Sequence, residues 1–272
     1  MDTTTLLTAY DEQLRTSGAS PDAAITTLGP VKLVEFTADR GFVTYRDLAD
    51  ADEGLIGQLV AAARAFFEAD TAIREVEWKT RGHDHAPGLH EALTAHGFVP
   101  EEPESIMLGE AKLLATDVPL PEGVTLRQVE DENDVRAMSA MADEVFGGPI
   151  SEERANALLQ RLQSGDGTEL WVAEADGKIV SSGRLQPVPR SDFAGIWGGS
   201  TRPEWRGRGI YRALTAARAR SALRMGKTLI HSDSTEYSRP ILERSGLIKV
   251  STTTPYVWRR PVTTDTHTER AL

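Results

Sequence analysis

The sequence predicts an α/β chain built from two copies of one fold. Residues 193–225 carry the clearest local signal: an apolar strand from Phe193 to Ser200, a turn holding Gly207 and Gly209, then Ile210, Ala213, Leu214 and Ala217 at helical spacing. The order of strands and helices in the first half returns in the second. Between the halves, Thr116-Asp117-Val118-Pro119-Leu120-Pro121 reads as an extended linker. The expected domains are therefore residues 1–115 and 122–260, joined by 116–121.

With 272 residues the chain is long enough for one large or two small cores. Residues 1–30 carry one amphipathic helix, with Leu6, Leu7, Tyr10 and Leu14 on a single face. Gly18-Ala19-Ser20-Pro21 and Gly29-Pro30 separate it from the first strands. Val31–Phe36 and Gly41–Tyr45 read as strands and Gly54–Ala69 as a helix. Arg74–Lys79 alternates as a strand, Pro87–His96 is a short helix ending at Gly97, and Phe98–Gly109 returns as strand. The second half opens with the strand Val124–Arg127. Helices follow at Glu130–Val145 and Ser151–Leu162, separated by Gly147-Gly148-Pro149. Leu170–Ala175 and Lys178–Leu185 form a hairpin turned by Asp176-Gly177. After Arg260 the Thr-rich tail, residues 261–272, reads as disordered.

The internal repeat is visible residue by residue. A shift of 154 places Ile56, Val60 and Ala62-Ala63-Arg64-Ala65 on Ile210, Leu214 and Ala216-Ala217-Arg218-Ala219. A shift of 149 places Leu93 on Leu242 and Gly97-Phe98 on Gly246-Leu247. The copies differ where it matters, because Arg206-Gly207-Arg208-Gly209 faces Asp52-Glu53-Gly54-Leu55. Two carboxylates repel an anion that two arginines attract.

The glycines permit the turn and let a ligand approach the main chain. The first N–H groups of the following helix lack partners within it, and with the helix dipole they favour an anion. Arg202, Arg206, Arg208, Arg212, Arg218, Arg220, Arg224 and Lys227 against Glu204 give a local balance of +7 in a chain of −11, which leaves −18 elsewhere. A basic island in an acidic protein points to a specific phosphate ligand and away from a nucleic-acid surface.

Arg206-Gly207-Arg208-Gly209-Ile210-Tyr211 resembles the Arg/Gln-x-x-Gly-x-Gly/Ala turn of the GNAT acyl-CoA N-acyltransferases, and Pro240–Leu247 resembles their helix ending in Gly-Phe. The resemblance implies two tandem GNAT-like domains, each a mixed, largely antiparallel sheet flanked by helices, the first degenerate. It implies acetyl-CoA as co-substrate, its pyrophosphate held by the turn's amides with Arg206 and Arg208. The cofactor-binding set it implies is Gly199, Ser200, Thr201, Arg206, Gly207, Arg208, Gly209, Ile210, Tyr211 and Arg212. Tyr211 stands where the family usually has Gly or Ala, so its side chain must point away from the pyrophosphate. No Lys-Ser/Thr pair follows the glycines, which separates the turn from a P-loop.

The family's reaction is attack of an amine on an acyl thioester, which needs a proton acceptor for the amine and a donor for the leaving thiolate. Negative charge develops on the thioester oxygen and needs donors there. In the family a main-chain N–H of the strand before the turn provides one, and here that strand ends Trp197-Gly198-Gly199-Ser200-Thr201. The family's tyrosine is replaced by Leu242 and its asparagine by Thr235. Tyr237 and Ser238 are the substitutes within reach as acid, with Tyr237 preferred. His231, Asp233, Glu236 and Glu144 are open as base, His231 and Glu144 being carried forward.

The chain has no cysteine, which excludes disulfides and thiol chemistry. The acidic, Thr-rich start and the lack of any run of roughly 20 apolar residues lead us to expect neither a secretory leader nor a membrane span, and so a cytoplasmic protein. His83-Asp84-His85 lies in a loop with Gly82 and Pro87 and reads as solvated, not as a metal site. The expected function is acetyl transfer to a primary amine of a small molecule, a cationic one suiting the acidic surroundings, by a monomer or homodimer with neither nucleic-acid nor membrane partner. The competing class is a non-catalytic acyl-CoA-binding sensor or assembly module.

Overall fold

The computed structural model describes residues 1–15, 23–36 and 39–261. The predicted break at 18–21 and the tail from 262 lie outside them. In chain order the elements are helix α1 (Thr3–Gln13), strands β1 (Ala24–Leu28), β2 (Val31–Glu35) and β3 (Arg40–Tyr45), α2 (Glu53–Ala69), β4 (Glu75–Arg81), α3 (Leu89–Ala95), β5 (Val99–Pro100), β6 (Glu104–Glu110), α4 (Ala111–Leu114), β7 (Val124–Val129), α5 (Glu132–Phe146), α6 (Glu152–Gln163), β8 (Glu169–Ala175), β9 (Lys178–Pro187), β10 (Phe193–Thr201), α7 (Ile210–Arg224), β11 (Leu229–Ser234), α8 (Arg239–Arg244) and β12 (Ile248–Arg259). The result is a mixed α/β fold whose strands are mostly antiparallel and flanked by helices.

Two compact units divide the chain. The larger holds Met1–Pro21, Arg81–His83 and Pro103–Thr253; the smaller holds Asp22–Thr80, Asp84–Glu102 and Thr254–Leu272. In the smaller unit β1, β2 and β3 run antiparallel, and β3 pairs in parallel with β4 across the crossover helix α2. Ile56, Val60, Ala63 and Phe67 of α2 cover Val43, Tyr45, Val76 and Trp78. In the larger unit β7, β8, β9 and β10 run antiparallel, and β10 pairs in parallel with β11 across the crossover helix α7. The same antiparallel run, parallel pair and crossover thus occur twice.

The echo extends to single hydrogen bonds. Phe98 N–H donates to Leu93 C=O and Leu247 N–H to Leu242 C=O, both at 3.0 Å. Gly97 and Gly246, with φ of 81° and 106°, supply the left-handed residue that ends each short helix.

The unit boundary does not fall at residue 115. Strand β6, read from sequence as part of the first copy, pairs with β11 and with residues 248–253 of β12 in the larger unit. Residues 256 and 257 of β12 pair with β5 in the smaller one. Each unit takes a strand from the other's stretch of sequence, which periodicity within one strand cannot reveal. Helix α1 likewise belongs to the larger unit, where Leu6 and Tyr10 pack with Ile106, Leu108, Phe193 and Leu229. Segment 116–121 is no interdomain linker either. Arg220 Nη1 donates to Thr116 C=O at 2.9 Å, and Leu120 packs against Ile210 and Leu214, so it runs along α7 inside the larger unit. Helix α4 and edge strand β1 are additions that the sequence reading lacked.

Arg127 ties β7 to its neighbours, donating to both carboxylate oxygens of Asp134 on α5 and, at 2.8 Å, to Glu174 on β8. The Arg127 hydrogen bonds are the main reason the Asp134 carboxyl lies below its ordinary value. A carboxyl lowered in the folded state adds stability above its unfolded value, and that contribution is lost as pH falls through the folded one. Because Arg127 is 38% exposed, Arg127→Gln is expected to cost only about 1 kcal/mol in urea unfolding at pH 7. As pH falls through the lowered folded value Asp134 takes its proton in both states, and the variant and wild type should converge.

Candidate active site

Helix α7 begins without a side-chain cap. Its N-cap is Gly209, at φ 83°, and Gly207 before it is at φ 73°. A Cβ added at Gly207 would meet nothing within 4 Å. The opening N–H groups of α7 therefore have no side-chain cap and lie next to a glycine with open space around it, as an anion site requires.

Of the predicted basic island, Arg208 and Arg212 stay exposed at this turn, and Arg208 lies over the Trp205 ring at 4.9 Å. Arg206 is also exposed, but its Nε donates to Thr201 C=O at 3.0 Å and braces the turn against the end of β10. Arg202 pairs with Glu144 at 2.9 Å. Lys227 donates to the Val188 and Ser191 carbonyls. Arg218 is not part of the island at all, being 1% exposed.

Strand β10 has two edges with different fates. Toward β9 it stays paired to its end, with one extra residue between Trp197 and Ser200 where Gly198 sits at φ 60°. Toward β11 only Phe193, Ala194 and Gly195 pair. Beyond Gly195 the two strands part, so the glycine bulge lies on an edge that β11 no longer pairs. A bulge re-aims backbone groups out of the ladder.

Buried Arg218 lies against this bulge from the α7 side. Its guanidinium donates to the carbonyls of Arg184 at 3.3 Å and Trp197 at 3.5 Å, and to Thr215 Oγ1 at 3.4 Å. Gly183 makes room for it: a Cβ there would sit 2.4 Å from Nη1. No carboxylate pairs with Arg218 among the described residues, and desolvation pulls its pKa below the ordinary arginine value. The Tyr211 ring covers Gly199, where a Cβ would be 2.5 Å from Cε2. Desolvation raises the Tyr211 pKa, with the Arg218 charge opposing.

The opposite face of the same strands belongs to α5 and α6. Leu170 packs with Val135 and Met138 of α5, and Leu170 is the cross-strand partner of Arg184, which in turn opposes Trp197. Directly opposed residues share a face, so Leu170, Arg184 and Trp197 form a row there. His231 joins it, its ring edge-on to Trp197 at 5.1 Å and to Phe193 at 5.9 Å.

The predicted residues fare unequally. Gly199, Gly207 and Gly209 stand at the bulge and the turn. Ile210 is 1% exposed, so only its main chain can reach a ligand. The side chains of Ser200 and Thr201 are engaged, Ser200 with Ser182 and Thr201 with Ser181, each at 2.8 Å. Glu144 is held by Arg202. Tyr237 is 92% exposed in the loop after β11 and makes no side-chain hydrogen bond among the described residues, so nothing directs its hydroxyl toward the bulge. His83 hydrogen-bonds Ser251 at 2.7 Å and Asp11 at 3.1 Å. The sequence reading does not single out Arg184, and it counts Arg218 with the basic island although the residue is enclosed. Their signal was present, since each stands alone among small and apolar residues, Val180-Ser-Ser-Gly-Arg-Leu and Ala216-Ala-Arg-Ala.

A model of the acetyltransferase (GNAT) family matches residues 135–246, which span the bulge, the glycine turn, α7 and α8. Residues 135–246 thus carry a GNAT acetyltransferase domain. No curated protein matches the sequence significantly. Solved structures match nearly the whole chain. A GCN5-related N-acetyltransferase from Kribbella flavida is 17% identical, with 94% of this chain and 93% of that one covered and a TM-score of 0.66. One from Sphaerobacter thermophilus is 20% identical, with 94% and 91% covered and a TM-score of 0.60. A tandem GNAT protein from the clavulanic acid biosynthesis pathway, solved without acetyl-CoA, is 16% identical, with 90% and 86% covered and a TM-score of 0.62. At these identities the likeness is one of fold. Among the described residues no helix is long and apolar enough to cross a membrane.

Proposed function

We propose that the larger unit transfers an acetyl group from acetyl-CoA to the primary amine of a small molecule, and that the smaller unit does not bind acetyl-CoA. The observation that carries this reading is the uncapped, glycine-opened start of α7 beside a strand whose glycine bulge lies on an unpaired edge. These residues fit acetyl-CoA. The N–H groups at 207–212 with Arg208 and Arg212 would hold its phosphates, and the glycines leave the main chain open to it. Acetyl-CoA supplies the thioester, whose C–S bond is exchanged for a C–N bond to the amine with release of the thiol. The bulge offers N–H groups for charge developing on the carbonyl oxygen. His231, on the α5 side beside Trp197, is the proton acceptor we favour for the amine.

The smaller unit supports its assigned silence. Asp52 caps α2 by accepting from Leu55 N–H at 2.8 Å, and α2 already runs from Glu53. The positions that align with Gly207, Arg208 and Gly209 are thus the first turn of a helix, with a carboxylate on its N–H groups.

The second reading, an acyl-CoA-binding module without turnover, draws on Leu242 being core and Tyr237 pointing nowhere in particular. Titration calorimetry with acetyl-CoA, followed by thiol release with a panel of amines, separates the two. Micromolar binding with thiol release is the expected result. Binding without release from any amine supports the module, and no binding overturns both.

A further inference from the structure

Arg184 is a cation with nowhere to put its charge. Its Nε is buried without a hydrogen-bond partner, although the residue as a whole keeps a partly exposed edge. It forms no ion pair among the described residues. The nearby acid is Asp166, which is already occupied: it pairs with Arg161 at 3.5 Å and accepts from Thr168 N–H at 2.8 Å. The Asp166 carboxylate is thus taken up by Arg161 and acts on Arg184 only through its field. Desolvation, reinforced by the Arg161 charge, brings the Arg184 pKa down to about 10, against the pull of Asp166. A buried cation left in this state costs free energy that a bound anion would return.

The position of this cation says what the anion belongs to. Arg184 projects from β9 on the α5 side, directly across from Trp197 at the start of the bulge, in the row that His231 completes. The glycine turn assigned to the phosphates of acetyl-CoA opens α7, which packs on the other face of β9 and β10 through Ala219 and Ala222 on Leu185 and Ile196. An anionic group at Arg184 is thus separated by the sheet from the helix that holds the donor's phosphates.

We infer that the acceptor carries a carboxylate as well as its amine, as an amino acid does, and that Arg184 binds that carboxylate while the amine lies toward the Gly198-Gly199 bulge. Guanidinium and carboxylate match as two parallel charge-assisted hydrogen bonds, which fixes orientation as well as affinity. The inference rests on the acetyltransferase reading and narrows it. It also amends the expectation of a purely cationic amine, since the acceptor needs one charge of each sign.

The test compares α-amino acids with the amines that lack only the carboxylate, each with acetyl-CoA, by thiol release. Wild type is expected to favour the amino acid of the best pair by about 100-fold in kcat/KM, carried mainly by KM. Arg184→Met should bring that ratio near one, chiefly by raising KM for the amino acid. Arg184→Lys, which keeps the charge and loses the fork, should fall between. Acetyl-CoA binding by calorimetry should match wild type in both variants, which also shows that they fold. A wild type that prefers plain amines, or an Arg184→Met that keeps the amino-acid preference, overturns the inference while leaving the acetyltransferase reading intact. If Arg184→Met instead changes only the choice between acetyl-CoA and a carboxylated donor such as succinyl-CoA, the carboxylate belongs to the acyl group and the inference is wrong. Failure of wild type to bind acetyl-CoA or turn over any amine removes both together.

Discussion

Gly209→Val is expected to abolish measurable acetyl-CoA binding while leaving a folded protein. Gly209 holds φ 83° as the residue before α7. A β-branched residue pays steeply there and will move the turn toward negative φ. The space itself is not the obstacle, since the nearest atoms to an added Cβ are Pro119 O at 3.8 Å and Val118 at 4.0 Å. The loss is one of backbone direction: once the turn relaxes, the N–H groups at the head of α7 no longer converge on one anion. Affinity should fall at least about 30-fold, the equivalent of about 2 kcal/mol, with a drop of a few degrees in Tm. Asp52→Ala is the matched control in the smaller unit. It removes a helix cap worth about 1 kcal/mol and should lower Tm comparably with no change in acetyl-CoA affinity. Calorimetry and thermal unfolding of both variants decide the matter. Normal binding by Gly209→Val would move the phosphate site off this turn, and weakened binding by Asp52→Ala would give the smaller unit a part in it.

The asymmetry between the halves was legible because it is written in local residues. Asp52-Glu53 against Arg206-Gly207 is a difference of charge and backbone freedom at aligned positions, and each acts on its own helix end. The crossover helices and the glycine that ends each short helix were legible for the same reason. What stayed hidden is whatever depends on partners far away in sequence. Strand β6 reads as one apolar strand wherever it pairs, so nothing within residues 104–110 says that its neighbours are 229–234 and 248–253. Segment 116–121 has a linker's composition because prolines and an exposed aspartate suit any extended run, including one lying along a helix. The arginines show the limit most sharply. Arg208, Arg212 and Arg218 look alike in a sequence, yet two are exposed at the turn and the third is enclosed by Gly183, Thr215 and the bulge. Only the alanines and the leucine around Arg218 hinted that its side of α7 faces the sheet.

Arg218→Met is expected to make the protein more stable and a poorer enzyme. Two opposing terms set the change in stability. Arg218 is enclosed with its charge unpaired, and taking an ion out of water costs several kcal/mol even after relaxation. Against that stand hydrogen bonds to neutral acceptors at 3.2 to 3.5 Å, long enough to be weak. Methionine follows the arginine stem and drops the charge, so the balance favours the variant by about 1–3 kcal/mol in urea unfolding. Turnover should change in the opposite sense. The carbonyl of Trp197 and the N–H of Gly198 belong to one peptide and point in opposite directions. Holding the carbonyl on the α7 side therefore aims the N–H away from α7, and the guanidinium's positive charge polarises that peptide toward stronger donation. Losing it frees the bulge, and a single donor at a developing oxyanion is worth about 100-fold in kcat. The expected signature is a kcat lower by 10-fold or more, acetyl-CoA affinity within about 3-fold of wild type, and a raised Tm. Gly183→Ala reaches the same end without touching the charge, because its Cβ would occupy the place of Nη1 and displace the guanidinium. That variant should share the kcat loss but lose stability, since it strands the cation. If Arg218→Met lowers Tm, or if both variants keep wild-type kcat, the buried arginine is packing alone and the bulge holds its own shape.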